Sequence, residues 1–212
     1  MPSLVGSEMC IRDRKNIFGQ YKYPSYSFQE LEIRINKISN KLVELGVKPH
    51  DKVLFFVKPN LDFCAITYAL FRIGAVAVFI DPGMKREYFL NAIAEVKPDI
   101  LIAIAKVHWV RRIMGKHFSH IRLFISTGKI GLGKTFSLYR GLKKQPETFE
   151  TYKPSEDDLA AILYTSGGTG APKGVEYTHD IFINQTRMLR EEFSLTKDCL
   201  LYTSDAADDS LR

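Results

Sequence analysis

Two glycine-rich stretches carry the residue types that hold an anion. Tyr164 to Val175 reads YTSGGTGAPKGV, in which Thr165, Ser166 and Thr169 are interleaved with Gly167, Gly168 and Gly170 and followed by Pro172, Lys173 and Gly174. Glycine permits positive φ and close backbone approach, so several N–H groups can converge on one anion. The hydroxyls add donors, Lys173 adds a compact positive charge, and Pro172 stiffens the backbone beside it. A flexible linker would explain the Ser, Thr and Gly content, but not the apolar run Leu159–Tyr164 before it or the Pro-Lys-Gly after it.

The rival is GKIGLGKT, Gly128 to Thr135, which satisfies the pattern G-x-x-x-x-G-K-S/T and follows another apolar run. In a P-loop NTPase the backbone of such a loop wraps the phosphates, the Lys neutralises them and the Thr hydroxyl holds Mg²⁺. That reading requires a strand-to-helix loop and an acid closing a neighbouring strand. Asp157 and Asp158 instead stand at the beginning of the run Leu159–Tyr164. His179, just beyond the first loop, suits a helix start, since no partner acid is identifiable for it.

The elements that must position these loops alternate along the chain. Ser27 and Glu30 have capping-box spacing, and Leu31, Ile35, Ile38, Leu42 and Leu45 recur at helical intervals up to Gly46. Strands are expected at Val53–Val57, Ala75–Ile80, Ile100–Ile104, Ile121–Ser126 and Leu159–Tyr164. Helices are expected at Leu61–Ile73, Glu87–Val96, Val107–Met114 and His179–Phe193. Apolar strands alternating with helices predict an α/β fold with a mostly parallel sheet covered on both faces. Thr127 to Pro154 lapses into Gly, Lys and Pro and reads as a surface excursion. Phe63–Ile80 is long and apolar, but Arg72 and Gly74 in its middle favour a helix followed by a strand over a membrane span.

The chain's ends read differently from its interior. Leu4–Arg14 (LVGSEMCIRDR) and Cys199–Ser204 (CLLYTS) are encodable by one adapter-like DNA sequence in opposite orientations. Residues 1–14, expected to be disordered, and 199–212 are therefore set aside as adapter-derived, with 15–198 as a partial domain. Their removal leaves 27 Lys and Arg against 19 Asp and Glu, a net +8. Adjacent pairs such as Arg111-Arg112 and Lys143-Lys144 are few, so this charge reads as a solvated surface with no nucleic-acid partner. Cys64 is the one cysteine left, which suits a reducing, cytoplasmic setting without a disulfide or metal framework. Peripheral membrane contact stays open. The α/β pattern stops just after a helix, so an unpaired edge and an uncovered apolar face are expected to make the chain poorly soluble.

YTSGGTGAPKGV resembles the signature T-S-G-S/T-T-G-x-P-K-G of the AMP-forming acyl- and aryl-CoA synthetases, luciferases and nonribosomal adenylation domains. Gly168 replaces the second hydroxyl residue, and the other positions match. The turn VFIDPGM, Val78 to Met84, resembles the fatty-acid-CoA-ligase-like branch that includes the olefin-pathway β-lactone synthetases. The resemblance implies the N-terminal portion of an adenylate-forming large domain that uses ATP and Mg²⁺, with CoA as a further substrate. A carboxylate, fatty acyl by the branch resembled, attacks the α-phosphorus of ATP, releasing pyrophosphate and forming an acyl-adenylate. Thr165, Ser166, Gly167, Gly168, Thr169, Gly170 and Lys173 would hold the β- and γ-phosphates. The family's adenine-side, ribose-binding and late catalytic Lys motifs lie downstream of this loop, so no catalytic acid or base is assigned, no metal ligand is named, and the chain by itself is expected not to adenylate.

Overall fold

The architecture is that of a computed structural model, which describes residues 8–10, 14–15, 21–22, 25–81, 83–113, 115–128, 133–165 and 172–194. Four short strands come first: β1 (Glu8–Cys10), β2 (Arg14–Lys15), β3 (Tyr21–Lys22) and β4 (Ser25–Ser27), paired β1 with β4 and β2 with β3. Glu8–Cys10 thus runs antiparallel to Ser25–Ser27, where a disordered segment was expected. Backbone pairing of this kind is sequence-tolerant and carries no information on the segment's origin.

Helix α1 (Phe28–Glu44) starts as its capping box requires. The Ser27 hydroxyl accepts from the Glu30 N–H at 3.2 Å while the Glu30 carboxylate accepts from the Ser27 N–H at 2.8 Å. Leu31, Ile35, Ile38 and Leu42 form its buried stripe, and Gly46 at φ 99° follows its end. Helix α2 (Leu61–Ile73) is capped by Asn60, whose side chain accepts from Phe63 N at 2.9 Å, and closes on Gly74 at φ 78°. The apolar run Phe63–Ile80 accordingly divides into this helix and a strand, and no helix among the described residues is long and apolar enough to cross a membrane.

The remaining elements are β5 (Lys52–Phe56), β6 (Val76–Ile80), α3 (Arg86–Val96), β7 (Ile100–Ala103), α4 (Ala105–Ile113), β8 (Leu123–Ser126), β9 (Phe136–Ser137), β10 (Leu159–Thr165), β11 (Lys173–Thr178) and α5 (His179–Glu192). They build one seven-stranded sheet in the order β11-β10-β6-β5-β7-β8-β9, parallel except for β11. Each face has its own core. On one side Ile38, Leu42, Ile66 and Leu70 of α1 and α2 meet Val53, Ala77, Ile102 and Ile125. On the other, Ala92, Ile93 and Val96 of α3 meet Leu54, Val78, Leu101 and Ile162. Period-two burial on both faces explains why these strands are continuously apolar.

The segment 127–154 is more firmly tied than a surface excursion. It contributes the edge strand β9 and buries Leu138 and Leu142. The Asn36 amide donates to the Glu147 carbonyl at 2.7 Å, the Asn40 amide to the Thr148 carbonyl at 2.9 Å, and Lys37 pairs with the Glu147 carboxylate at 2.9 Å. Polar side chains on the outer edge of α1 thus strap the segment down.

Candidate functional site

Strand β10 carries Thr165 to the carboxyl end of the sheet, where the parallel strands β5, β6 and β7 also finish. In open α/β sheets this edge is where ligands bind. The chain then turns back as β11, whose last rung pairs Thr165 with Lys173. Both ends of the glycine-rich loop are therefore pinned on adjacent strands, about 5 Å apart. Ser166, Gly167, Gly168, Thr169 and Gly170 lie outside the described residues. Lys173 is exposed, and its ammonium makes no ion pair among the described residues.

The base of the loop is braced from three sides. Tyr164 pairs with Ile80 of β6 on one side and with Gly174 of β11 on the other. Its ring crosses Gly174 so closely that a Cβ there would lie 2.9 Å from Tyr164 Cζ. Its phenol faces Glu95 of α3; burial first, then the Glu95 and Glu176 carboxylates, push it up to about 12. The register with Ile80 also sets the turn after β6 beside the loop, where Asp81 Oδ1 accepts from Gly83 N at 2.8 Å. The two segments that carried the sequence resemblance are neighbours in space.

His179 is placed elsewhere. It is the first residue of α5, capped by Thr178, and its N–H donates to the Asp158 carbonyl at 3.1 Å. Thr178 pairs with Leu159 at the opposite end of the hairpin from the loop, so His179 stands about 20 Å from the loop mouth at roughly 3.3 Å per residue. Its ring packs edge-on to Phe71 at 5.9 Å, and burial lowers its pKa. It serves the packing of α5.

The structure overturns the P-loop NTPase reading of Gly128–Thr135. Thr135 leads into the edge strand β9, with no helix N-terminus to receive a phosphate. Its hydroxyl is buried and accepts from Arg111 at 3.4 Å, and the Gly128 carbonyl accepts from Ser137 Oγ at 2.8 Å. Residues 129–132 lie outside the described residues. Sequence reasoning missed β11, although KGVEYT after a Gly- and Pro-rich turn carries a hairpin signal. It also missed the approach of Glu95 to Tyr164, which links elements distant in the chain.

The sequence profile of the AMP-binding enzymes matches residues 10–208. This chain belongs to that family. Among its relatives, an olefin beta-lactone synthetase of Stenotrophomonas maltophilia is 33% identical over 171 residues, covering 79% of this chain and 30% of that protein. A 3-hydroxybenzoate/4-hydroxybenzoate CoA ligase of Thauera aromatica is 27% identical over 181 residues, 85% of this chain and 35% of the ligase. Among solved structures, a long-chain-fatty-acid-CoA ligase from Archaeoglobus fulgidus superposes with a TM-score of 0.70 at 25% identity, covering 82% of this chain and 35% of its own. ATP-bound MatB from Rhodopseudomonas palustris gives 0.67 at 26% identity, covering 86% and 34%. The chain spans about a third of the length of these relatives.

Proposed function

We propose that residues 164–175 are the pyrophosphate-holding loop of an ATP-dependent enzyme that activates a carboxylic acid as its acyl-adenylate. The observation that carries this reading is the hairpin: a loop rich in N–H and hydroxyl donors, anchored at Thr165 and Lys173 on the carboxyl edge of the sheet, with an exposed ammonium at its mouth. Those groups fit a polyphosphate. Thr165, Ser166, Thr169 and the backbone of Gly167, Gly168 and Gly170 would donate to the β- and γ-phosphate oxygens, and Lys173 would offset their charge. Their work is positioning and neutralisation of the leaving group, with no proton transfer assigned to them. Gly168 supplies a backbone donor alone. Mg²⁺, when bound with the nucleotide, would supply further positive charge against the phosphates.

Fatty acyl chemistry is the substrate reading, supported by the similarity to the olefin beta-lactone synthetases and the long-chain ligase fold. Transfer to CoA is the companion step, supported by the CoA ligases among the relatives. The alternative, closure of an activated hydroxy acid to a β-lactone, rests on the 33% identity to such a synthetase. With adenylating activity in hand, products separate them: a thioester that needs CoA, or a lactone that does not.

The loop itself is tested by amide chemical shifts of the isotopically labelled chain titrated with Mg-ATP and with pyrophosphate. Binding is expected to be weak, since even millimolar affinity requires about 4 kcal/mol. Shifts should cluster at residues 164–175 and shrink in Lys173→Ala. Shifts centred on 128–135 instead, or none with either ligand in the high-millimolar range, would remove the proposal.

A further inference from the structure

We propose that α4, with the turn that follows it, is a docking face for an anionic lipid bilayer surface. The 47 residues from Ile100 to Pro146 contain ten Lys and Arg and no Asp or Glu. Counted by adjacency these cations look scattered, but the fold gathers several of them. Lys106 and Arg111 fall on α4. Lys134 is exposed beside them, because the next residue, Thr135, accepts from Arg111.

The helix settles which residues it keeps for the protein. His108 is buried, with Nε2 3.0 Å from the Ile125 carbonyl oxygen, and the Arg111 guanidinium lies 3.5 Å over the Phe124 ring. The opposite side presents Lys106, Trp109 and Val110, and Trp109 is 63% exposed and Val110 46%. An indole and a valine held out in water beside cations gain nothing from this fold. At a bilayer surface the indole sits at headgroup level, the valine reaches the acyl boundary and the cations meet lipid phosphates. A nucleic acid would use the same cations and stack on Trp109, but leave Val110 without a partner. With 9 residues in the helix the attachment is peripheral and reversible. This face lies toward the β9 side of the sheet, away from the nucleotide loop, and either can exist without the other.

Trp109 is the chain's one tryptophan, so its emission reports the contact directly. The 212-residue chain would be mixed with vesicles of phosphatidylcholine, alone or with phosphatidylglycerol. The mixed vesicles should shift the emission to the blue and co-sediment the protein, about tenfold more tightly than neutral ones, with the difference shrinking as salt rises. Lys106→Glu and Val110→Asp, at exposed positions that leave thermal unfolding unchanged, should each weaken binding several-fold. An unshifted spectrum with the anionic vesicles, equal binding to neutral ones, wild-type binding by both variants, or capture by a DNA or RNA duplex without vesicle binding would each overturn the proposal.

Discussion

The Tyr164 ring covers Gly174 on the neighbouring strand, leaving 2.9 Å between its Cζ and the place where a β-carbon would stand. A methyl group there must push the ring or the strand. Gly174→Ala is expected to destabilise the chain by about 1–3 kcal/mol, the usual cost of overpacking. If the ring is the obstacle, Gly174→Ala combined with Tyr164→Ala will cost less than the two single changes together. Urea unfolding of the four proteins measures this, and strict additivity would show that the contact does not govern the hairpin.

Alkaline pH reads the same tyrosine. Burial and the Glu95 and Glu176 carboxylates push its phenol up to about 12, whereas the unfolded chain titrates near 10. A raised pKa means tighter proton binding in the folded state, so the contribution is complete below about pH 10 and is lost as pH climbs through about 12. Wild type should therefore lose more stability than Tyr164→Phe as pH rises from 8 to 11. Urea midpoints that fall in parallel would contradict the raised phenol pKa.

Gly74 joins two demands. It closes α2 at φ 78°, and a Cβ there would run into the Tyr152 ring, with Cγ at 2.7 Å. Left-handed strain of about 1–2 kcal/mol and overpacking of about 1–3 kcal/mol put the cost of Gly74→Ala at roughly 2–5 kcal/mol. Trimming Tyr152 to Ala in that background should relieve the steric part alone. Melting temperatures of the pair check this; full recovery would mean the backbone angle costs nothing.

Helix α5 buries none of its residues, and Ile181, Ile183, Met188 and Leu189, with Phe193 at its C-cap, are 39% to 68% exposed. An apolar surface of this extent drives association. The chain is expected to self-associate at micromolar concentration, and Met188→Lys with Phe193→Ser to reduce light scattering without shifting the melting temperature. A wild-type chain that stays monodisperse would contradict this.

Where local pattern carries the signal, the sequence was readable. Ser27 with Glu30 marked the start of α1, Gly74 the end of α2, and the apolar runs gave β5, β6, β7, β8 and β10 to within two residues. The strapping of 127–154 was not, because Asn36 and Asn40 reach carbonyls more than a hundred positions away and no local periodicity encodes that. Lys173 was legible as a phosphate ligand candidate but not as a strand residue, since β11 is polar and mostly exposed. His179 stood close to the loop in sequence, and one hairpin length of backbone separates them in space.

The order of the strands also sets an electrical distance. From β10, which carries the glycine-rich loop, to β8, whose Phe124 supports α4, the sheet takes four inter-strand steps, about 19 Å at roughly 4.8 Å each. That is more than twice the Debye length of about 8 Å at physiological ionic strength. The cations around α4 are consequently shielded from a nucleotide arriving at Lys173. On the two proposals above, two basic regions on one small sheet would act as separate electrodes, each answering to its own anion.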